Sequence, residues 1–286
     1  MSTPRNHSVF KAFAMLKSFA TPDEWVTSSE LSRRAKLPDA SGYRLIQTLE
    51  ELGAVTRGPK GRYRPGMLLV SLSEKVIISD LLHEAGREIV EVVAQRLDAT
   101  LHVGIFEGGM VTYVTKVSTP NSFVLHTRRG AQLEAYCSGL GKVLLAALPD
   151  EDLETFIMEG ELVALTPNTI VEPGKLRARL DEVRRDGFAM DDREIRLDMS
   201  CLAVPILHPQ GRTIAAISAT ERAEEMTPER VETIRLALQQ AAREISARVF
   251  PAEPSFRAAG PAAIKVPSRR KKPANVAAMA GRGDDL

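Results

Sequence analysis

A glycine-rich segment, Ser138-Gly139-Leu140-Gly141, leads directly into an apolar stretch that is typical of a helix. Free backbone N–H groups at the start of a helix bind anions, and glycine lets a ligand approach the backbone closely. The segment therefore predicts a site for a small anion such as a carboxylate. The alternative is a tight loop that needs glycine only for its own geometry.

Small polar side chains occur in two later segments that have the pattern of neighbouring strands. Cys201 lies in the first segment, and Ser218 and Thr220 lie in the second. We expect the three side chains to project from one face of a sheet over the glycine-rich segment, where they suit a small carboxylate. The alternative is an ordinary sheet in which Cys201 is a small buried side chain and the hydroxyls bond the backbone.

Residues 27–64 have the pattern of a winged helix-turn-helix. Thr27 and Glu30 have the spacing of a capping box, which predicts the start of a short helix. Pro38 ends this helix, and Asp39 is expected to cap a second helix over about 40–52. On the second helix, the residues predicted to face the core are Leu45, Ile46, Leu49 and Leu52. Those predicted to face away are Ser41, Tyr43, Arg44 and Gln47.

A basic hairpin follows the second helix, since residues 57–64 have the pattern of strand, turn and strand. A helix fits the major groove of DNA, and a basic wing lies on the flanking phosphates. The predicted DNA-binding residues are the outward positions of the helix and the cations of the wing: Ser41, Tyr43, Arg44, Gln47, Arg57, Lys60, Arg62 and Arg64. The alternative is a small helical domain whose polar face is only solvated.

The formal net charge of +1 conceals an uneven distribution. Residues 1–67 hold 11 Lys and Arg against 6 Asp and Glu, whereas residues 68–250 hold 20 against 28. A basic head on an acidic body suits a protein whose head meets phosphate. Residues 251–286 hold 7 against 3 and are rich in Ala and Pro, so we expect a disordered basic tail.

The elements around these sites predict an α+β fold. A helix over about 8–19 completes a three-helix head, and residues 68–97 are almost continuously compatible with helix. The inner face of the first helix is predicted to hold Val9, Ala12, Phe13, Leu16 and Phe19. The later strands come in hairpins, with a half-buried strand around Leu101, Val103 and Ile105 and a third strand over 123–127. An antiparallel sheet with helices on one side is therefore predicted.

Composition favours a cytoplasmic protein. The two cysteines form no Cys-x-x-Cys pair, and no apolar run is long enough to span a membrane. Residues 1–7 lack the apolar core of a signal peptide. Neither a cofactor nor a metal ion is predicted.

A cysteine-dependent enzyme is the rival prediction, with Cys137 or Cys201 as nucleophile and a histidine as base. The five histidines form no recognisable motif with either cysteine. Asp191, Asp192 and Glu194 are candidate acid–base groups or metal ligands, yet no histidine lies among them. No catalytic residue is therefore predicted.

Taken together, these segments resemble the IclR family of bacterial transcriptional regulators over about residues 7–249. The most specific matches are residues 43–49, Gly61-Arg62-Tyr63 in the wing, and Gly139-x-Gly141-Lys142-x-Leu144-Leu145-Ala146. The block 187–194 and Cys201-x-Ala203-x-Pro205 add to these. The order and spacing of the matches, rather than any one of them, carry the resemblance.

The resemblance implies a winged helix-turn-helix domain (1–67), a linker helix (68–79) and a GAF/PAS-like effector-binding domain (80–250), followed by the tail (251–286). It implies a homodimer or homotetramer on a palindromic DNA operator, and a small organic-acid effector. By the same resemblance the effector contacts are Leu125, Leu133, Gly139, Leu140, Asp191, Met199, Cys201, Ser218 and Thr220. A DNA-binding protein without an effector is the remaining alternative.

The sequence departs from the family pattern at two positions. Asp198 stands where the family usually has glycine, close to the predicted effector contacts. Gly42 stands in the first turn of the second helix, where Ser or Thr is common. The first departure bears on which effector is bound, and the second on which bases are read.

Overall fold

The computed structural model describes residues 6–21 and 23–251. Apart from residue 251, the expected tail lies outside the described residues. The described chain begins with three helices, α1 (His7–Leu16), α2 (Ser28–Arg34) and α3 (Asp39–Glu51). A three-stranded antiparallel sheet accompanies them, with β1 (Val26–Thr27), β2 (Val55–Arg57) and β3 (Arg62–Pro65) in the order β1-β3-β2. This is the predicted winged helix-turn-helix.

The core of this part differs from the prediction on α1. Val9 and Phe13 are more than half exposed, whereas Met15, which was not predicted, is fully buried. Phe19 packs on the core from beyond the end of the helix. The face of α1 that packs on the core holds Ala12, Met15 and Leu16. These residues follow the spacing of one helical face, so the helix is rotated away from the predicted inner face.

The start of α2 confirms part of the predicted capping box. Thr27 Oγ1 accepts a hydrogen bond from the Glu30 amide at 3.3 Å. The Glu30 carboxylate, however, pairs with Arg33 and Arg34 of its own helix. Two nearby cations thus engage the side chain that was expected to complete the box.

The ends of α3 correct two further predictions. Asp39 is the first helical residue rather than the cap, and the Pro38 carbonyl accepts hydrogen bonds from the Ser41 and Gly42 amides. Leu52 lies beyond the last turn and is 61% exposed, so it is not part of the core. Gly53 follows the helix with a φ of +74°, a conformation that suits glycine and ends a helix.

The nearly continuous helix expected over 68–97 is divided in two. Helix α4 (Met67–Ser73) and helix α5 (Ile78–Leu97) are separated by residues 74–77. The β-branched run Val76-Ile77-Ile78 lies at this break, and such side chains lower helix propensity. Gly86 lies inside α5 and is buried there.

A six-stranded antiparallel sheet forms the centre of the C-terminal part. Its strands are β4 (Thr100–Glu107), β5 (Met110–Val117), β6 (Gln132–Glu134), β7 (Ala189–Asp192), β8 (Met199–Leu207) and β9 (Thr213–Arg222), in the order β6-β5-β4-β9-β8-β7. The β4–β5 turn at Gly108-Gly109 has two positive φ angles, as a two-residue hairpin requires.

The strand predicted over 123–127 is wrong, since that segment has no strand pairing and the third strand is β6. Side chains rather than a neighbouring strand satisfy its backbone carbonyls. Thr100 Oγ1 donates to the Phe123 carbonyl at 2.8 Å, and Lys116 Nζ donates to the carbonyls of Leu125 and Thr127. The alternation of apolar residues that suggested a strand therefore belongs to an ordered loop.

Helices cover both faces of the large sheet, so the prediction of helices on one side is wrong. Helices α5 and α9 (Pro228–Val249) pack on one face around Leu101, Leu202 and Ile217. The other face carries α6 (Gly139–Ala146), α7 (Asp150–Glu159) and α8 (Pro173–Asp186). Strand β4 is buried on both sides rather than half-buried, because its second face holds His102 and Gly104 under the α6 layer.

Candidate functional site

A cavity of about 100 Å³ lies between the sheet and the start of α6. Its lining includes every residue that the family resemblance implied as an effector contact: Leu125, Leu133, Gly139, Leu140, Asp191, Met199, Cys201, Ser218 and Thr220. Ser138, of the predicted glycine-rich segment, also lines the cavity, and five lining residues were not predicted: His102, Tyr113, Thr127, Ile195 and Arg196. The structure thus brings together residues from six strands, one helix and three loops.

Strand register explains why the polar side chains meet. Asp191 of β7 is opposite Cys201 of β8, which is opposite Thr220 of β9. Two residues before Thr220 on β9, Ser218 is opposite His102 of β4. Directly paired residues project to the same face, so these side chains form a small polar patch on the α6 side of the sheet. This is the arrangement predicted for Cys201, Ser218 and Thr220.

The glycines at the start of α6 have different roles. Ser138 caps the helix, with its Oγ accepting a hydrogen bond from the Gly141 amide at 3.0 Å. A Cβ on Gly141 would lie 2.0 Å from the Ala135 carbonyl oxygen, so close packing requires glycine there. A Cβ on Gly139 would meet nothing closer than 3.4 Å, and its neighbour there is Cys201. Packing therefore does not require glycine at position 139, in contrast to position 141.

Three ionisable side chains are buried together, and one of them, Asp191, lines the cavity. Lys142 Nζ pairs with Glu194 Oε1, and both side chains are almost wholly removed from solvent. Asp191 Oδ1 accepts a hydrogen bond from the Glu194 amide at 2.7 Å. Among the described residues, Asp191 Oδ2 has no hydrogen-bond partner. Burial raises the pKa of Asp191 to about 7, despite the hydrogen bonds and the nearby Lys142 that oppose it.

His102 and Tyr113 form a neutral wall of the cavity. Their ring centroids are 4.5 Å apart, and His102 Nε2 lies 2.8 Å from Thr127 Oγ1. Burial, with a smaller contribution from Lys116, lowers the pKa of His102 to about 3. Burial also raises the pKa of Tyr113 well above its ordinary value. Near neutral pH both rings are therefore uncharged hydrogen-bonding groups.

A second candidate site is the outer face of α3. Tyr43, Arg44 and Gln47 are exposed there, and Gln47 Nε2 donates to Tyr43 OH at 3.1 Å. Ser41, at the start of the helix, is partly exposed. The inward Gly42 is explained by packing, since a Cβ at that position would lie 1.9 Å from Ser32 Oγ of α2.

The wing presents four exposed cations, Arg57, Lys60, Arg62 and Arg64. On β3, the two arginines flank the buried Tyr63, so alternation places both guanidinium groups outside the core. Trp25 supports the wing: its ring lies 4.9 Å from the Arg64 guanidinium carbon. A Cβ on Gly58 would lie 2.1 Å from the same ring, so glycine lets the wing pack on it.

The two cysteines are poor candidates for a nucleophile. Burial raises the pKa of Cys137 to about 12 and that of Cys201 to about 11, and nearby carboxylates add to both shifts. A nucleophilic cysteine needs the opposite shift, because the thiolate is the reactive form. Within residues 6–21 and 23–251, no group of three His, Cys, Asp or Glu is placed to hold a metal ion. In the same part of the chain, no helix has the length and apolar character needed to cross a bilayer.

Two family models match the sequence. The model described as bacterial transcriptional regulator IclR C-terminal matches residues 75–247, and the IclR helix-turn-helix domain matches residues 8–59. The regulator KdgR of Escherichia coli is 30% identical over 245 residues, which are 85% of this chain and 92% of that protein. XynR of the same organism is 27% identical and covers 85% of this chain and 97% of its own.

Solved structures give the same result. IclR of Thermotoga maritima superposes with a TM-score of 0.55 and 29% identity, over 85% of this chain and 98% of that one. An IclR homologue from Microbacterium hydrocarbonoxydans, solved in complex with 4-hydroxybenzoate, has a TM-score of 0.55 and 26% identity with the same coverage. Both matches span the helix-turn-helix and the large sheet domain together.

Proposed function

The chain belongs to the IclR family of bacterial transcriptional regulators, and from this membership we propose that a small organic acid in the sheet-domain cavity controls its binding to DNA. The helix-turn-helix supplies the DNA contacts, and the domain over about 80–250 supplies the effector site. The observation that carries the proposal is the cavity itself, in which a helix N-terminus faces a patch of small polar side chains.

The cavity suits a carboxylate at its α6 end. The Gly139 and Leu140 amides lie in the first turn of α6, where backbone donors and the helix dipole favour an anion. Ser218 and Thr220 add hydroxyl donors from β9. Asp191 with a proton on Oδ2 donates to a ligand carboxylate, whereas the ionised side chain repels it. Leu125, Leu133 and Met199 provide the apolar walls, with Cys201 beside them.

We assign the DNA contacts to two surfaces. Tyr43, Arg44 and Gln47 on α3 reach base edges or neighbouring phosphates in the major groove, with Ser41 at the start of the helix. The four wing cations hold the DNA backbone. The charge difference between the basic head and the acidic body orients the head towards DNA.

We further propose that the regulator acts as a homodimer on a palindromic operator. Large apolar side chains are exposed on α1 and over residues 67–81, which is unusual for a surface without a partner. They include Val9, Phe13, Met67, Val70, Leu72, Val76, Ile77 and Leu81. A twofold dimer presents two α3 helices to successive major grooves when these are about 34–36 Å apart. An effector that alters this distance changes operator affinity, provided that it binds the two states unequally.

The alternative of a cysteine-dependent enzyme is disfavoured by the raised pKa values of both thiols. A DNA-binding protein without an effector would have no need for a cavity with convergent polar groups. We therefore retain one function, control of transcription through an acid effector.

Calorimetric titration of the purified protein with small acids tests this proposal. The panel includes glyoxylate, pyruvate and 4-hydroxybenzoate, of which the last is the ligand of the Microbacterium homologue. A Ser218→Leu variant fills the cavity, and an Ala247→Leu variant is the control because Ala247 is exposed on α9 and does not line the cavity. We expect an acid that binds the wild type and the control but not Ser218→Leu. Acid binding that survives in Ser218→Leu would contradict the assigned cavity, and no heat with any acid would favour a regulator without an effector.

A further inference from the structure

Arg196 stands at the mouth of the cavity without being among the predicted contacts. It lines the cavity, yet about half of its side chain remains exposed. The guanidinium group of Arg196 donates two hydrogen bonds to the Asp198 carboxylate, from Nε to Oδ1 at 3.0 Å and from Nη2 to Oδ2 at 2.6 Å. This is the paired geometry in which arginine binds any carboxylate. Asp198 is also the residue that departs from the family pattern.

An aromatic ring holds the arginine at this position. The guanidinium carbon of Arg196 lies 5.3 Å from the centre of the Phe123 ring, and that of Arg222 lies 5.9 Å from the same ring. Two guanidinium groups and one carboxylate therefore meet at Phe123. Together the two guanidinium groups and the Asp198 carboxylate carry a net charge of +1. This charge lies at the entrance to the cavity, and the inner end of the cavity is suited to an anion.

We propose that the effector carries a second acidic group, which Arg196 binds at the mouth of the cavity by displacing Asp198. The inference deepens the proposed function and depends on it, because the first carboxylate takes the site at α6. Asp198 then acts as an internal substitute for the ligand: it pairs with Arg196 in the free protein, and the second carboxylate of the ligand must displace it. A monocarboxylate leaves this pair intact and gains nothing from Arg196.

The size of the cavity limits the chain between the two acidic groups. A cavity of about 150 Å³ accommodates benzene, and the volume here is about 100 Å³. A short aliphatic chain therefore fits between α6 and Arg196 more easily than an aromatic ring. The ligand class is a short aliphatic dicarboxylate.

The test compares diacids with monoacids of the same carbon number on the full-length protein. Calorimetric titrations use succinate against butyrate, glutarate against valerate, and adipate against hexanoate. We expect at least one diacid to bind about tenfold more tightly than its monoacid, because a charged hydrogen-bonding pair to the ligand outweighs the small contribution of the exposed Arg196–Asp198 pair that it replaces. In Arg196→Gln this preference is lost while the monoacid affinity is unchanged. In Asp198→Asn the same diacid binds more tightly than in the wild type, because the internal competitor is weakened.

Arg193→Gln is the matched control, since Arg193 is exposed nearby, carries the same charge and does not line the cavity. It should keep the diacid preference, which separates a specific contact from a change in net charge. An Arg196→Gln variant that retains the preference, or that weakens both acids equally, would overturn the inference and leave the proposed function standing. Binding of none of these acids or of the acids in the first panel would reject both.

Discussion

Lys142 of α6 forms an ion pair with Glu194, which lies two residues after β7. Both side chains of the pair are almost wholly buried. The pair joins the helix that begins at the cavity to the turn that carries Asp191. Among the described residues, the second Glu194 oxygen, Oε2, has no hydrogen-bond partner. A buried charge that loses its partner is costly, because neither water nor another group replaces it.

Lys142→Met should therefore lower the free energy of unfolding by about 3–5 kcal/mol, since it leaves the Glu194 carboxylate buried and unpaired. The double variant Lys142→Met/Glu194→Met should recover most of this loss. Urea denaturation followed by circular dichroism measures both effects. Lys175→Met, in the exposed Lys175–Glu172 pair, is the control and should change stability by less than about 1 kcal/mol. Equal losses of unfolding free energy in Lys142→Met and Lys175→Met would show that the buried pair contributes no more to stability than the exposed one.

The raised pKa of Asp191 predicts a pH dependence of stability. The folded protein keeps the Asp191 proton up to about pH 7, whereas the unfolded chain loses it near the ordinary value of 3.8. Between these values the folded state binds more protons, so the free energy of unfolding falls as the pH rises. Asp191→Asn removes this contribution. Relative to the variant, the wild type should lose stability between pH 4 and 7, by up to about 1.4 kcal/mol per pH unit.

Urea midpoints of both proteins at several pH values measure this difference. Asp192→Asn is the control, because that neighbouring carboxylate is exposed and its loss should leave the pH dependence unchanged. A constant difference between wild type and Asp191→Asn across the range would mean that Asp191 ionises as an ordinary carboxylate in the folded protein.

Arg44→Ala tests base reading by α3. If Arg44 pairs with a guanine, its loss should cost about 1–3 kcal/mol of binding to the specific site and relax specificity at that base pair. The specific site is first obtained by selection from random DNA with the purified protein. Fluorescence anisotropy then compares the selected duplex with a scrambled one. A loss of the same size on both duplexes would assign Arg44 to phosphate instead.

The wing cations should act through the DNA backbone. Replacing Arg57, Lys60, Arg62 and Arg64 with Gln should weaken binding to all sequences and flatten the dependence of log K on log salt by roughly 3 to 4. The control replaces four exposed arginines of the sheet domain, Arg87, Arg179, Arg185 and Arg193, which gives the same change in net charge. Unchanged salt dependence in the wing variant would exclude the wing from the DNA contacts.

Local sequence patterns were sufficient for the elements that depend on short-range chemistry. The Thr27 cap, the end of α3 near residue 52 and the hairpin over 57–64 all follow from residues that are close in sequence. The loop over 123–127 was mistaken for a strand because its carbonyls bind Thr100 and Lys116, which are remote in sequence. No local pattern contains that information.

The cavity residues also divide into those that local sequence patterns predict and those that depend on contacts between remote segments. Small polar residues on two strands predicted that Cys201, Ser218 and Thr220 share a face, because side chains alternate along each strand. His102 was missed, since its place opposite Ser218 depends on the pairing of β4 with β9. Arg196 was missed because it lies in a turn without periodicity, where only the folded chain shows Asp198 and Phe123 beside it.

The central claim is that an acid in the cavity changes the affinity of α3 and the wing for DNA. The most direct measurement is the anisotropy of the selected duplex, titrated with protein in the presence and absence of an acid that calorimetry has identified. The account predicts that the acid shifts the dissociation constant of the wild type, and that Ser218→Leu binds the duplex with wild-type affinity but does not respond. A wild-type dissociation constant that is the same with and without bound acid, or an equal shift in Ser218→Leu, would contradict it.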